Sequence, residues 1–289
     1  MLTILEVLRK STEFLHKAEV PNARLDAEWI ISHCLNMGRM DLYLQFERPL
    51  EEEKLCEMRG MITRRSKREP LQHILGHVTF ADLRLTCDKR SLIPRPETEE
   101  LVEIILTITR KGSPEKFLDL GTGSGALALA LAKAFPSAQI VATDISERAL
   151  ELAIENANAN NLSGRIEFLS SDWFEGLPLM TEGFDLIVSN PPYLSEEEWE
   201  STEPEVKRYD PKKALVSGEG GSRDLQKILR DSEQYLNPQG WLAMETGEYH
   251  HEELANTAKA IGYEKILKKK DLAGRPRFFL AKRAEVSKR

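Results

Sequence analysis

The sequence predicts an α/β fold, a mostly parallel seven-stranded sheet with helices on both faces, preceded by a small helical module. Three observations carry this. From residue 117 onward, short β-branched and aromatic runs alternate with helical segments of about 10–15 residues, the pattern of βαβ units. Before residue 70, apolar positions recur at helical spacing instead. A glycine cluster closes the first strand candidate and opens a helix, as at a nucleotide-type ligand site.

In the first region the apolar positions are Leu5, Leu8 and Leu15, then Leu25, Trp29, Ile30 and Leu35, then Leu55, Met58 and Ile62. Breakers separate them at Pro21-Asn22, Gly38 and Pro49. Short amphipathic helices bury nothing alone, so they must bundle. Residues 71–92 change character. HVTFADLRLTCD has strand residues around a turn at Ala81-Asp82, a hairpin or linker. Ile93-Pro94-Arg95-Pro96 then forces an extended segment before the next helix, which either Thr98 caps or Pro96 opens. The boundaries expected are 1–72 for the helical domain, 73–92 for the hairpin linker and 93–289 for the α/β domain.

Strand candidates follow at 117–120, 140–144, 166–169, 184–189 and 241–245, with a final pair near 265–267 and 278–281. Helix candidates are 126–134, 147–160, 224–236 and 252–261. The tail AEVSKR is expected to fray.

Composition narrows the function. The 289 residues are 41% hydrophobic and 30% charged, a globular balance. No apolar run approaches the roughly 20 residues of a membrane helix. The N-terminal MLTILEVLRKSTEFLHKAEV is broken by charge, unlike a signal or transit peptide, so a cytoplasmic protein is expected. A net charge of −7 argues against coating nucleic acid, whose phosphates call for excess Lys and Arg. Cys34, Cys56 and Cys87 match no metal or redox spacing, and no metal site is expected. The cluster Arg59, Arg64, Arg65, Lys67 and Arg68 reads first as a solvated helix face, second as a docking patch. His250-His251 read as surface residues, and Lys268-Lys269-Lys270 as a solvated strand edge.

The glycine loop is Asp119-Leu120-Gly121-Thr122-Gly123-Ser124-Gly125. Its spacing, with an acid two residues ahead, resembles the first motif of class I S-adenosylmethionine methyltransferases. There the loop (Gly121, Thr122, Gly123, Ser124, Gly125) wraps the methionine part of the cofactor. Asp144 ends the second strand, where a carboxylate accepts from both ribose hydroxyls. Asp172-Trp173 follow the third, an acid and an aromatic suited to adenine.

The fourth strand runs into Asn190-Pro191-Pro192-Tyr193, on the same edge as the loop. An amide or aromatic amino nitrogen gives its lone pair to a π system and is a poor nucleophile. Accepting hydrogen bonds from both its N–H groups fixes it and enriches its electron density. Asn190 offers a side-chain carbonyl. Pro191 offers a backbone carbonyl held by Pro192, and Tyr193 a flat face.

That tetrapeptide is shared by enzymes acting on exocyclic amino groups of adenine or guanine and on glutamine. The remaining segments choose. Leu92-Ile93-Pro94-Arg95-Pro96-Glu97-Thr98-Glu99, LDLGTGSGALALALA, SSDWF, VSNPPY, Arg208-Tyr209-Asp210-Pro211 with Ala214-Leu215, and Glu69-Pro70-Leu71-Gln72-His73-Ile74-Leu75-Gly76 closely resemble the PrmC/HemK family. These are peptide chain release factor glutamine N5-methyltransferases, and the resemblance spans nearly the whole chain. It implies S-adenosylmethionine as cofactor, held by Gly121 to Gly125, Asp144, Asp172, Trp173 and Asn190. It implies class I release factors as partners and a glutamine held by Asn190 to Tyr193. It implies a helical domain that helps recognise the substrate. Arg95 and Glu97 either line the substrate mouth or form a salt-bridged linker. No nucleic-acid substrate and a monomer are expected. Met244-Glu245-Thr246-Gly247 departs from the family's usual form, which touches local packing only. The alternatives are a nucleic-acid methyltransferase, a nonenzymatic binding module and a dehydrogenase. The first predicts a basic groove, the second a damaged motif, and the third leaves Asn190-Pro191-Pro192-Tyr193 without a role.

Overall fold

The computed structural model describes residues 1–109, 114–177 and 182–285, so the last four residues of the tail lie outside it. In chain order the first elements are α1 (Ile4–Lys17), α2 (Ala23–Leu35), α3 (Arg39–Leu44), α4 (Glu52–Ser66), α5 (Leu71–Leu75), β1 (His77–Phe80) and β2 (Leu83–Thr86). Next come α6 (Pro96–Thr109), β3 (Lys116–Leu120), α7 (Ala126–Ala134), β4 (Gln139–Asp144), α8 (Glu147–Ala159), β5 (Ile166–Ser170) and β6 (Phe184–Ser189). The last are α9 (Glu196–Glu200), α10 (Pro204–Tyr209), α11 (Arg223–Tyr235), β7 (Leu236–Glu245), α12 (His251–Ile261), β8 (Lys265–Lys270) and β9 (Pro276–Lys282). The chain forms two compact units: Met1–His77 with Glu203–Tyr209, and Val78–Thr202 with Asp210–Arg289.

The first unit is helical. Thr3 and Glu6 form a reciprocal capping box that starts α1. Ile4, Leu8, Leu15, Ile30, Ile31, Leu42, Met58 and Ile62 make its core. The expectation of a solvated helix face for the basic cluster fails at two positions, Arg65 on α4 and Arg68 just beyond its end. Arg65 is buried, donating to Asp26 Oδ2 at 2.7 Å and Glu205 Oε1 at 2.9 Å. Arg68 turns in as well, donating to Glu205 at 2.6 Å and Glu203 at 2.9 Å. The acids that hold these arginines come from α2 and from residues 203–205, distant in sequence, so α4 by itself does not reveal them. Arg59 and Arg64 pair with Glu52 and Glu69 near the surface, and Lys67 is exposed.

The second unit is built on one sheet of order β5-β4-β3-β6-β7-β9-β8. β5, β4, β3, β6 and β7 are parallel; β9 pairs antiparallel with β7, and β8 pairs antiparallel with β9, so β9 alone runs against the rest. Side chains alternate between two apolar layers. Phe117, Leu186, Val188, Ala243, Phe278 and Leu280 face α6 and α7. Leu118, Leu120, Ile187, Leu242, Met244 and Phe279 face α11 and α12. Burial on both faces explains why these strands read as near-continuous apolar runs. The β1–β2 hairpin turns at Ala81 and Asp82, both with positive φ (47° and 56°), and its Phe80, Leu83 and Leu85 join the first layer. β7 begins at Leu236, earlier than its apolar run suggests: Leu236 pairs with Phe184, and after an irregularity the ladder resumes with Trp241 opposite Leu186. Lys268, Lys269 and Lys270 are exposed on the edge strand β8.

His250 and His251, read from sequence as surface residues, are both buried at 8% exposure. The start of α12 is tucked in, with the His251 ring 6.3 Å from that of Phe279.

Candidate active site

The carboxyl ends of β3, β4, β5, β6 and β7 share one edge, the side where open α/β sheets bind ligands. β3 lies between β4 and β6, so the strand order reverses beside it. After Leu120 the chain turns through Gly121, Gly123 and Gly125 at φ of 70°, 57° and 84°. These left-handed angles suit glycine. The Asp119 carboxylate holds the turn from inside. Its Oδ2 accepts from Thr122 Oγ1 at 2.7 Å and from the Ala128 N–H at 3.1 Å. Complete burial raises its pKa to about 7, against those two hydrogen bonds and together with nearby Asp144. Gly125 lets α7 approach α8, for a Cβ there would lie 3.2 Å from that of Ala153.

Asp144 ends β4 with each oxygen already oriented: Oδ2 accepts from Gly123 N–H and Oδ1 from Ser146 N–H, both at 2.9 Å. Burial raises its pKa, opposed by these backbone donors. Trp173 follows β5 in a left-handed conformation (φ 50°), its Nε1 donating to Asp224 at 3.3 Å. Its ring lies against Gly121, where an added Cβ would come within 3.3 Å. Asp172 is exposed at the same edge.

β6 pairs with β3 so that Ser189 lies opposite Leu120, which sets Asn190 beside the glycine loop. Asn190 Nδ2 donates to Thr98 Oγ1 at 3.0 Å. Thr98 Oγ1 in turn donates to Glu245 Oε2 at 2.7 Å. Tyr193 Oη donates to Glu245 Oε1 at 2.9 Å and accepts from Arg277 Nη1 at 3.2 Å. Burial and then the Glu245 charge raise the Tyr193 pKa, keeping the phenol neutral. Pro191 is buried and Pro192 half-buried. The Tyr193 carbonyl sits so close to Gly221 (φ 93°) that a Cβ there would lie 2.3 Å from its oxygen.

Thus the glycine loop, Asp144, Trp173 and Asn190 to Tyr193 meet on one edge. Arg95 instead pairs with buried Asp210 at 2.6 Å. Thr98, Glu245, Arg277 and Gly221 escaped the sequence reading as parts of the site. Thr98 is not a cap: Pro96 is the first residue of α6, and the Thr98 hydroxyl serves Glu245 and Asn190. Glu245 was findable, because it ends the parallel strand next to the motif strand. Among the described residues no His, Cys, Asp or Glu cluster has the arrangement of a metal site.

Residues 6–76 match the family described as the PrmC N-terminal domain, and residues 111–274 match a methyltransferase domain. A release factor glutamine methyltransferase of Geobacter sulfurreducens is 42% identical over 245 residues, covering 85% of this chain and 84% of that protein. The chain belongs to the release factor glutamine methyltransferase family. The family member of Deinococcus radiodurans is 37% identical over 96% of this chain and 98% of its own. As a release factor glutamine methyltransferase family protein, the chain is an S-adenosylmethionine-dependent methyltransferase. Among solved structures, a methyltransferase from Pyrococcus furiosus shares the fold with a TM-score of 0.51 at 22% identity, over 70% of this chain and 89% of that one. The human Mettl16 catalytic domain does so with a TM-score of 0.59 at 17% identity, over 79% and 82%. The cofactor fits these residues. The loop at Gly123 meets nothing closer to a built Cβ than Ser91 at 3.8 Å, and the Asp144 carboxylate is fixed by backbone donors.

Proposed function

We propose that the enzyme methylates the side-chain amide nitrogen of the glutamine in the Gly-Gly-Gln motif of class I peptide chain release factors. When bound, S-adenosylmethionine supplies a methyl group activated by a positively charged sulfur. The chain's own residues bind and position. Asp144 accepts the ribose hydroxyls, Trp173 and Asp172 receive the adenine, and the loop from Gly121 to Gly125 lies along the methionine portion. Asn190 Oδ1 and the Pro191 carbonyl accept the two amide N–H bonds, while Tyr193 presents its ring to the planar group. Placing a weak nucleophile in line accounts for much of the rate such a site can give. As the nitrogen is methylated it loses one proton, which passes to solvent.

The observation that carries this is the commitment of Asn190 Nδ2 to Thr98. It leaves the carbonyl side of the Asn190 amide as the acceptor, at the strand end beside the glycine loop. The helical unit, matched over 6–76, helps grip the release factor. Arg95 enters only as the partner of Asp210. A monomer acting in the cytoplasm on protein, without nucleic acid as substrate, completes the proposal; among the described residues no helix is long and apolar enough to cross a membrane.

The test is purified enzyme with methyl-labelled cofactor, offered a release factor, the same factor with its Gly-Gly-Gln glutamine changed to alanine, and naked rRNA. Label should enter the first alone. Label on rRNA, or equal labelling of the two proteins, overturns the substrate.

A further inference from the structure

We infer that Glu245 and Thr98 set the polarity of the Asn190 side chain, turning its carbonyl oxygen toward the substrate amide; this rests on the proposed acceptor role of Asn190. An asparagine amide is nearly symmetric in shape, with an acceptor on one side and two donors on the other. Rotation by half a turn would present N–H groups to a substrate N–H and abolish the contact. Something must choose between the two states.

The hydrogen-bond chain makes that choice, because each link has one allowed direction. Arg277 only donates, so Tyr193 Oη accepts from it and sends its own proton to Glu245 Oε1. An ionised Glu245 only accepts, so Thr98 must send its single hydroxyl proton to Oε2. Thr98 Oγ1 then has only lone pairs left for Asn190, and only Nδ2 can satisfy them. Protonating Glu245 on Oε2 reverses the arm. The acid donates to Thr98, the hydroxyl proton swings to Asn190, and the amide flips. Oε1 is the less favourable place for that proton, since Tyr193 Oη already accepts from Arg277 and cannot reverse its hydroxyl as Thr98 can.

The carboxylate sits where this matters. It is 2% exposed, and burial pushes its pKa up against the hydrogen bonds from Thr98 and Tyr193 and the charge of Arg277. Several groups face it. Arg277 comes from β9 with Asp271 behind it at 3.5 Å, and Glu97 comes from α6. Tyr193 comes from the motif, and the His250 ring packs at Gly247 beside Tyr193. Thr98 and Glu245 touch neither substrate nor cofactor in this scheme, so they are positioning residues.

The experiment measures kcat, KM for the release factor, cofactor Kd and melting temperature for the wild type, Thr98→Val, Thr98→Ser, Glu245→Gln and Asn190→Ala, across pH. Thr98→Val keeps the side-chain shape and removes the hydroxyl. It should lower kcat about 10- to 100-fold, the value of one oriented hydrogen bond to a polar reacting group. Cofactor Kd should stay within about threefold, because the hydroxyl contacts the amide and not the nucleoside pocket. Thr98→Ser should recover most of the loss. In the wild type kcat should fall as pH drops through the raised Glu245 pKa. That limb should vanish in Thr98→Val and in Glu245→Gln, which cannot be protonated. Wild-type kcat in Thr98→Val, or the same acid limb in Glu245→Gln, overturns the polarity role. If Thr98→Val fails to fold, Glu245→Gln and its pH profile decide. Asn190→Ala separates the two levels. Loss of turnover there with normal Thr98→Val refutes this inference alone, whereas normal turnover in Asn190→Ala refutes the acceptor role beneath it.

Discussion

Replacing Asp144 by asparagine isolates the charge that the cofactor's ribose is expected to meet. The carboxylate accepts one backbone N–H on each oxygen, from Gly123 and from Ser146, at 2.9 Å. Asparagine keeps the shape but has one acceptor, so its NH2 must face one of those N–H groups, donor against donor. The free protein loses part of one charge-assisted bond. It regains the cost of burying a carboxylate whose pKa is raised by desolvation, so its stability should change little. The bound state has no such compensation. Bonds from ribose hydroxyls to a carboxylate become bonds to an amide, or are lost. Hydrogen bonds to charged groups contribute about 1.5–3 kcal/mol each against about 1 for neutral ones, so a loss of about 2–3 kcal/mol is expected. That corresponds to a roughly 30- to 150-fold weaker Kd. Calorimetric titration with S-adenosylmethionine, alongside melting curves without it, reads both terms. The wild-type affinity should also decline as pH falls through the raised Asp144 pKa, since only the ionised form accepts on both oxygens. A Kd within threefold of wild type would refute the ribose role.

Three further outcomes follow from the geometry. Gly125→Ala places a Cβ 3.1 Å from Leu129 Cδ1 and 3.2 Å from Ala153 Cβ at φ 84°, and should cost about 2–4 kcal/mol in urea unfolding; a loss under 1 kcal/mol would show that α7 and α8 separate freely. Arg65→Ala strips buried Asp26 of its partner while Glu205 keeps Arg68, and should destabilise the helical unit by about 3 kcal/mol. The double change Arg65→Met with Asp26→Asn should recover most of this, and no recovery would point to lost packing instead. His251 is held neutral by burial, then by Lys268, with its pKa pushed from 6.5 down to about 4. The folded protein therefore binds fewer protons than the unfolded chain between those values. The contribution of this group is intact above pH 6.5 and is lost toward pH 4, by about 3 kcal/mol at most over the window. His251→Gln should flatten that slope in pH-dependent melting, and an unchanged slope would place the effect on other groups.

The sequence alone determined the alternation of strands and helices, the glycine loop, Asp144 and the motif strand. Each is a local signal. Left-handed turns demand glycine, strands buried on both faces read as apolar runs, and parallel strands put their ends on one edge. The ends of strands 184–189 and helix 126–134 could be read to the residue, because β6 runs straight into prolines and α7 lies between a glycine and Phe135. Tertiary structure decided what depends on partners far along the chain. Arg65 looks like surface until Asp26, 39 residues away, meets it. His250 and His251 look solvated until the start of α12 is folded inward. Thr98, Asn190 and Glu245 share no local pattern, being 92 and 147 residues apart across their two bonds. The direction of a hydrogen-bond chain is fixed by which donors and acceptors the fold brings within hydrogen-bonding distance, and no spacing along the backbone encodes that.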